Sequence, residues 1–257
     1  MIIQGLETIA FGKKIYSFDA IDSTNTYAKT LSFLDSPHGS MIIAEEQTAG
    51  RGRLQRNWIS ARGENLLFSI VLRPEFNSSK ISLLPFAAAL AVCDAIESET
   101  MLSPSCKWPN DVLVNGKKVC GMLLESTTFS GGEGIDRVIA GIGVNVNQTV
   151  FPEELVQKAT SLRMESGKEI DRISLLKKIM TEFELRYQQL GSFPSGKLLQ
   201  EWKMKALLFG KKITVLESEF SYTATAIDVN EDGSLLILTD DGHKKKIFAG
   251  DVSLAYH

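Results

Sequence analysis

The chain predicts an α/β fold: one large domain of mixed strands and helices followed by a small all-β unit. Three observations carry that expectation. Strand and helix signals alternate from the N-terminus to about residue 208. From Phe209 the pattern changes to short strands separated by tight turns. Between them, Asn115-Gly116 joins two strand-like runs, as a two-residue hairpin requires. At 257 residues the chain is long enough to bury a full core. The expected division is residues 1–208 for the large domain and 209–257 for the small one.

Taken in order, Lys14 to Phe18 reads as a strand. Asp22-Ser23-Thr24-Asn25 is rich in residues that cap helix N-termini, so a helix is expected from about Asn25 to Leu34. Met41 to Ala44 reads as a buried strand, and Asn65 to Leu72 as the next. Ser82 to Glu97 is Ala-rich and apolar at helical spacing, which predicts a helix. Val112 to Val114 and Lys117 to Glu125 are the two arms of the hairpin. Val138 to Val146 reads as a strand through a Gly-Ile-Gly core. Ile173 to Leu190 and Lys197 to Leu207 read as helices. Lys212 to Glu217, Thr223 to Val229 and Ser234 to Thr239 are the strands of the small unit. Its turns are Glu231-Asp232-Gly233 and Asp240-Asp241-Gly242. Lys244 to Lys246 reads as a solvated strand end.

Composition excludes several classes of function. The formal net charge is −3, which argues against bulk nucleic-acid binding. No uninterrupted apolar run approaches the roughly 18 residues needed to span a bilayer. Met1 to Lys14 lacks a basic start followed by an apolar segment, so no signal peptide is expected. Cys93, Cys106 and Cys120 include no CxxC pair, which suits reduced thiols in a cytoplasmic protein. His38, His243 and His257 are scattered. No protein-held metal site and no histidine-based triad are expected.

The chemistry concentrates in four stretches. Gln47 to Arg62 contains Arg51, Arg53, Arg56 and Arg62 with no lysine and no acidic residue, within an acidic chain. Gly50 and Gly52 allow close approach of backbone N–H groups. Arginine supplies a planar charged fork that matches carboxylate and phosphate. This is an anion loop, but not a dinucleotide fingerprint, because no helix pattern follows it, and no Walker P-loop exists. An exposed arginine loop without a ligand is the bland alternative. Lys107-Trp108-Pro109-Asn110-Asp111 can hold an ammonium rigidly, or it can be an ordinary turn. Gly141 to Asn147 places two glycines in a strand, which admits a ligand or a packed neighbour. Asn145 and Asn147, at alternate positions, are expected on one side of it. Asp22 to Asn25 is a helix cap whose hydroxyls can also meet a ligand carbonyl. No carboxylate pair and no GxSxG stands ready for acid–base or nucleophilic work. Catalysis by positioning and anion stabilisation is the better expectation.

In that order, Asp22 to Asn25, Ala44 to Arg53, Lys107 to Asp111, Cys120 to Glu125 and Gly141 to Val146 resemble the motifs of biotin protein ligases. The resemblance runs from about residue 14 to the C-terminus. It implies a mixed-sheet, class II aminoacyl-tRNA-synthetase-like catalytic domain over residues 1–208 and an SH3-like barrel over 209–257. The implied enzyme uses ATP to convert biotin to biotinyl-5′-AMP. It then transfers the biotinyl group to a lysine of biotin carboxyl carrier protein, a subunit of acetyl-CoA carboxylase. A lipoate or octanoate ligase of the same fold is the alternative. Mg²⁺ is implied with the ATP.

By the same resemblance, Ser23, Thr24, Asn25, Gln47, Gly50, Arg51, Lys107 and Gly121 bind biotin. Arg51, Gly52, Arg53, Trp58, Asn110 and Asn145 bind the nucleotide. Lys107, with Arg51 and Arg53, carries catalysis. Two positions depart from the family. Gln55 stands where glycine is usual, and Ala255 follows Leu254 where some members carry arginine. The ligase motifs begin by residue 22, so no DNA-binding helix-turn-helix and no DNA partner are expected. Family members are monomers or dimers that pair sheets edge to edge.

Overall fold

Strands β1 (Ile15–Phe18), β2 (Ser40–Ala44) and β3 (Leu66–Leu72) open the larger sheet in the computed structural model, with helix α1 (Thr24–Thr30) between the first two. The structure describes residues 3–128, 134–217, 220–248 and 250–254. Helices α2 (Ser78–Ile81) and α3 (Leu84–Thr100) follow. Then come strands β4 (Ser105–Lys107), β5 (Asp111–Val114), β6 (Lys117–Thr128) and β7 (Ile135–Val144). Helices α4 (Leu162–Ser166), α5 (Arg172–Ser192) and α6 (Gly196–Lys205) lead to β8 (Lys212–Glu217), β9 (Phe220–Val229), β10 (Leu235–Thr239), β11 (Lys244–Ile247) and β12 (Asp251–Leu254). The larger sheet has the order β1-β2-β3-β7-β6-β5-β4. Its β1–β2 pair is parallel and its other pairs are antiparallel, so it is mixed. The smaller sheet is antiparallel, in the order β11-β10-β9-β8-β12.

Local chemistry explains the elements. Asn115 and Gly116 have φ of 50° and 77°, the two positive values that a type I′ turn demands. The turn and a bulge at Val112/Leu113 together set the register in which Asp111 opposes Gly121. Ser23 caps α1 and Asp171 caps α5, each through a side-chain oxygen that accepts from the first-turn backbone. Helix α1 stops at Thr30, short of the expected Leu34. There Ser32 and Asp35 bond each other and their own backbone, which offers the chain a turn instead of another helical turn. Strand β7 ends at Val144, so Asn145 and Asn147 do not share a strand face. Both are buried past its end. Their amides bond the backbone at Thr160 and Ile170.

The core lies on one face of the larger sheet, under α3 and α5. Ala87, Leu90, Ala91, Cys93 and Ile96 of α3 are fully buried against Leu176, Ile179, Met180 and Phe183 of α5. The stretch Ser79–Thr100 is, by length and composition, long and apolar enough to cross a membrane. Ser82, Asp94, Glu97, Ser98 and Glu99 interrupt it, so no uninterrupted apolar run of that length occurs. In the fold its apolar side chains face the sheet and α5. Helix α1 packs on the opposite face, where Ala28 meets Ile42, Val71 and Ile139. The cysteines are free and buried. Burial pushes the Cys120 thiol far above its ordinary value.

Candidate active site

Glycine register makes the floor. Gly121 of β6 opposes Gly143 of β7, and Leu123 opposes Gly141. Side chains alternate across a strand, so these positions share one face of the sheet. A Cβ at Gly143 would lie 2.6 Å from the Trp58 ring, and one at Gly121 would lie 2.9 Å from it. The indole therefore occupies the space those two side chains lack. A Cβ at Gly141 would lie 2.3 Å from Asn25 Oδ1. Around this bare patch opens a cavity of about 600 Å³. Trp58, Ile59 and Leu123 give it an apolar side.

One end is the N-terminus of α1. Gln47 Oε1 accepts from Thr24 N at 2.8 Å and from Thr24 Oγ1 at 3.2 Å. Ser69 Oγ donates to Asn25 Oδ1 at 2.6 Å and lies 2.7 Å from the Thr24 hydroxyl. Asn25 Nδ2 donates to Leu123 O and to Glu125 Oε2. Asn25 thus has both its amide oxygen and its amide nitrogen engaged by the protein, and it lines the cavity together with Ser23, Thr24 and Gln47.

The arginine loop is the lid over that patch. Thr48 N and Ala49 N bond Ile21 O and Asp22 O, which ties its start to the α1 cap. Gly50 O accepts from Trp58 N at 2.9 Å, and Gly52 N donates to Arg56 O at 2.7 Å, so residues 50–58 form a closed excursion. Gly50 does not line the cavity. A Cβ there would lie 2.7 Å from Trp58 O, so its smallness serves backbone packing. Leu54 and Gln55 have φ of 53° and 58°. Gln55 thus takes the left-handed conformation that glycine adopts freely, which costs a side-chain-bearing residue roughly 1–2 kcal/mol. Ala255 lies outside the described residues.

Charge is concentrated on this cavity. Arg51, Arg53, Arg56, Lys107, Lys118, Lys158 and Lys211 line it, against one carboxylate, Asp111. Arg62, part of the same acid-free run, lies outside and pairs with Asp19. Among the described residues, the Lys107 ammonium has no hydrogen-bonding or ionic partner. Asn110 joins the loops: its Oδ1 accepts from Arg53 Nη1 at 3.3 Å. Asn145 Oδ1 and Trp58 Nε1 are buried at the wall without a partner. Lys118 was missed by sequence reading. Its ammonium sits 2.7 Å from Asp111 Oδ1 and 5.4 Å from the Trp58 ring centroid. In sequence it is one of two adjacent lysines after a turn, and only its ion pair with Asp111 across the hairpin marks it. Arg51 bonds Glu125 at 2.9 Å and 3.3 Å, beside Lys29 at 2.6 Å. No group of three acidic, cysteine or histidine side chains that could hold a metal occurs among the described residues.

Burial works to raise the Glu125 carboxyl, but hydrogen bonds from Lys29 and Asn25 and the nearby Arg51 charge outweigh it and hold it below its ordinary 4.5. A depressed folded-state value stabilises the fold above the unfolded-state value, and the gain disappears as pH falls through the folded-state value. The stability difference between wild type and Glu125→Gln in urea should therefore be larger at pH 7 than at pH 3. Gly143→Ala should expel the Trp58 indole. Its fluorescence should shift to the red while Trp108 and Trp202, both 1% exposed, stay buried.

Residues 17–145 match the biotin/lipoate A/B protein ligase family, and residues 208–255 match the biotin protein ligase C-terminal domain. The chain is 37% identical over 254 residues to the bifunctional ligase/repressor BirA of Bacillus subtilis, covering 97% of this chain and 77% of the relative. It is 32% identical to the biotin–[acetyl-CoA-carboxylase] ligase of Paracoccus denitrificans, covering 84% and 90%. The biotin protein ligase of Aquifex aeolicus in complex with biotin and ATP superposes with a TM-score of 0.82 at 34% identity, covering 95% of this chain and 100% of that one. With the glycine-floored cavity, its arginine lid and the C-terminal sheet in place, the chain belongs to the biotin/lipoate A/B protein ligase family, as a biotin protein ligase.

Proposed function

We infer that this protein activates biotin with ATP to biotinyl-5′-AMP and passes the biotinyl group to a lysine amine of a carrier protein. The observation that carries the reading is the seven cations set against one carboxylate around a half-apolar cavity. Two anions must meet for the first step. Biotin's carboxylate attacks the α-phosphorus of ATP, and pyrophosphate leaves with the electron pair of the broken P–O bond. Neutralising the repulsion and the developing charge is the main demand on such a site. The carrier's amine then attacks the acyl carbon of the mixed anhydride, and AMP leaves.

In this reading Ser23, Thr24 and Gln47 hold the polar ring of biotin, and Gly121 with the Trp58 ring seated on it lines the wall beside its body. Asn25 acts by fixing Ser69 and the β6 backbone. Lys107 faces the reacting carboxylate and α-phosphate, and Lys118 is a second ammonium at the same place. Arg51, Gly52 and Arg53 close over the adenylate. Asn110 places Arg53, and Trp58 and Asn145 meet the nucleotide base, which would give the Asn145 carbonyl a donor. With no carboxylate cluster available, Mg²⁺ would be held mainly by the triphosphate, with Asp111 nearby, and would screen its charge. The acceptor is the carrier domain of a biotin-dependent carboxylase. A cytoplasmic setting agrees with three free cysteines. The large domain spans 1–208 and the small one 209–257.

The protein should add mass to a carrier domain when given ATP, Mg²⁺ and biotin. Labelling by lipoate without biotin would overturn the reading. Lys107→Ala should slow pyrophosphate release about ten- to a hundredfold, the worth of a charge-assisted hydrogen bond made in the transition state. Lys107→Arg should restore little, because a planar fork does not replace a point charge. Single-turnover kinetics of pyrophosphate release check both.

A further inference from the structure

Trp108 lies between Lys107 and Asn110, yet it does not line the cavity. Its indole is 1% exposed, and Nε1 donates to Gly233 O at 3.0 Å, 125 residues further along the chain. Gly233 belongs to the turn between β9 and β10, in the C-terminal sheet. That turn is closed from within. Gly233 N bonds Asn230 O, Asn230 N bonds Ser234 O, and Ser234 N bonds Asp232 Oδ1, each at 2.9 Å. Gly233 has a φ of 80°, which suits glycine at this turn. It is also docked from without. Ser82 Oγ donates to Asp232 O at 2.7 Å, and a Cβ on Gly233 would come within 3.1 Å of Phe86.

The other side of Trp108 is the site. Lys107, the preceding residue, lines the cavity. Asn110, two residues on, takes a hydrogen bond from Arg53, and its backbone carbonyl accepts from Met122 N at 3.0 Å. A buried indole N–H that loses its acceptor is left with the cost of its desolvation. The ring therefore follows the Gly233 carbonyl, and the backbone on both sides of it follows the ring.

We propose that the Asn230–Ser234 turn of the C-terminal sheet is a positioning element for biotin activation, acting through the Trp108 N–H to place Lys107 and Asn110. The proposal rests on the biotin-ligase reading above. It makes the small sheet part of the first chemical step, before any carrier protein arrives.

The test measures pyrophosphate release by the full chain and by Trp108→Phe, which keeps an aromatic ring and removes the donor. At a temperature where circular dichroism shows both folded, kcat should fall about three- to tenfold, the range for one hydrogen bond. The KM for biotin should change less than kcat, as expected when transition-state placement is lost. Because Trp108 acts in part through Lys107, the loss caused by Trp108→Phe should be clearly smaller on a Lys107→Ala background. Should Trp108→Phe fail to fold, Ser82→Ala removes the second tether at an exposed position. It should lower kcat in the same way, again with a clearly smaller loss on the Lys107→Ala background. An unchanged kcat with only a lower unfolding temperature would overturn the proposal, as would an equal loss with and without Lys107. Absence of biotin-dependent pyrophosphate release by the unaltered chain would instead sink the reading of the activity itself.

Discussion

The site depends on the register of two neighbouring strands. Because β6 and β7 pair with Gly121 against Gly143 and Leu123 against Gly141, a patch of sheet carries no side chains. A shift by one residue would turn that patch to the other face and fill the cavity with Ile142 and Met122. Trp58 can reach the sheet only there, and Asn25 can approach Gly141 only there. The arginine lid is held through Trp58, whose N–H binds Gly50 O. The α1 N-terminus is held through Asn25. Lid, helix cap and floor are thus three consequences of one pairing.

Electrostatics then sorts the cations by what each already touches. Arg51 meets Glu125 and Arg53 meets Asn110, whereas the Lys107 ammonium has no partner among the described residues. The Arg51 side chain is 40% exposed, so its ion pair contributes little to stability. A pair of that kind can be exchanged for a ligand anion at small cost. Lys118 differs: its bond to Asp111 spans the β5–β6 hairpin, so the ammonium stays with the strand that carries it. The cavity therefore combines a movable arginine on the lid with lysines set on the sheet.

Much of this was legible in the chain. The Asn115-Gly116 hairpin, the Ala-rich core helix and the strand leading into the arginine loop are local features, and local propensity is enough to read them. The cavity-lining residues proposed from motifs come together with the exception of Gly50, which packs behind the wall. What failed had nonlocal causes. Asn145 and Asn147 left the strand because Thr160 and Ile170 offered them partners. Arg62 left the site because Asp19 faced it. Lys118 carried no motif and became visible only through its ion pair with Asp111. The helical stretch 79–100 is apolar because the sheet and α5 make it core.

By itself the sequence determined the element types, the change of architecture near residue 209 and the placing of glycines and cations along the chain. Those depend on neighbours within a few residues, through dihedral preference, periodicity and formal charge. Only the tertiary structure decided which glycines face each other, which arginine meets a carboxylate, and that a turn of the C-terminal sheet reaches Trp108. These are pairings between residues tens to more than a hundred positions apart. Their energies depend on distance and burial, which no local pattern encodes.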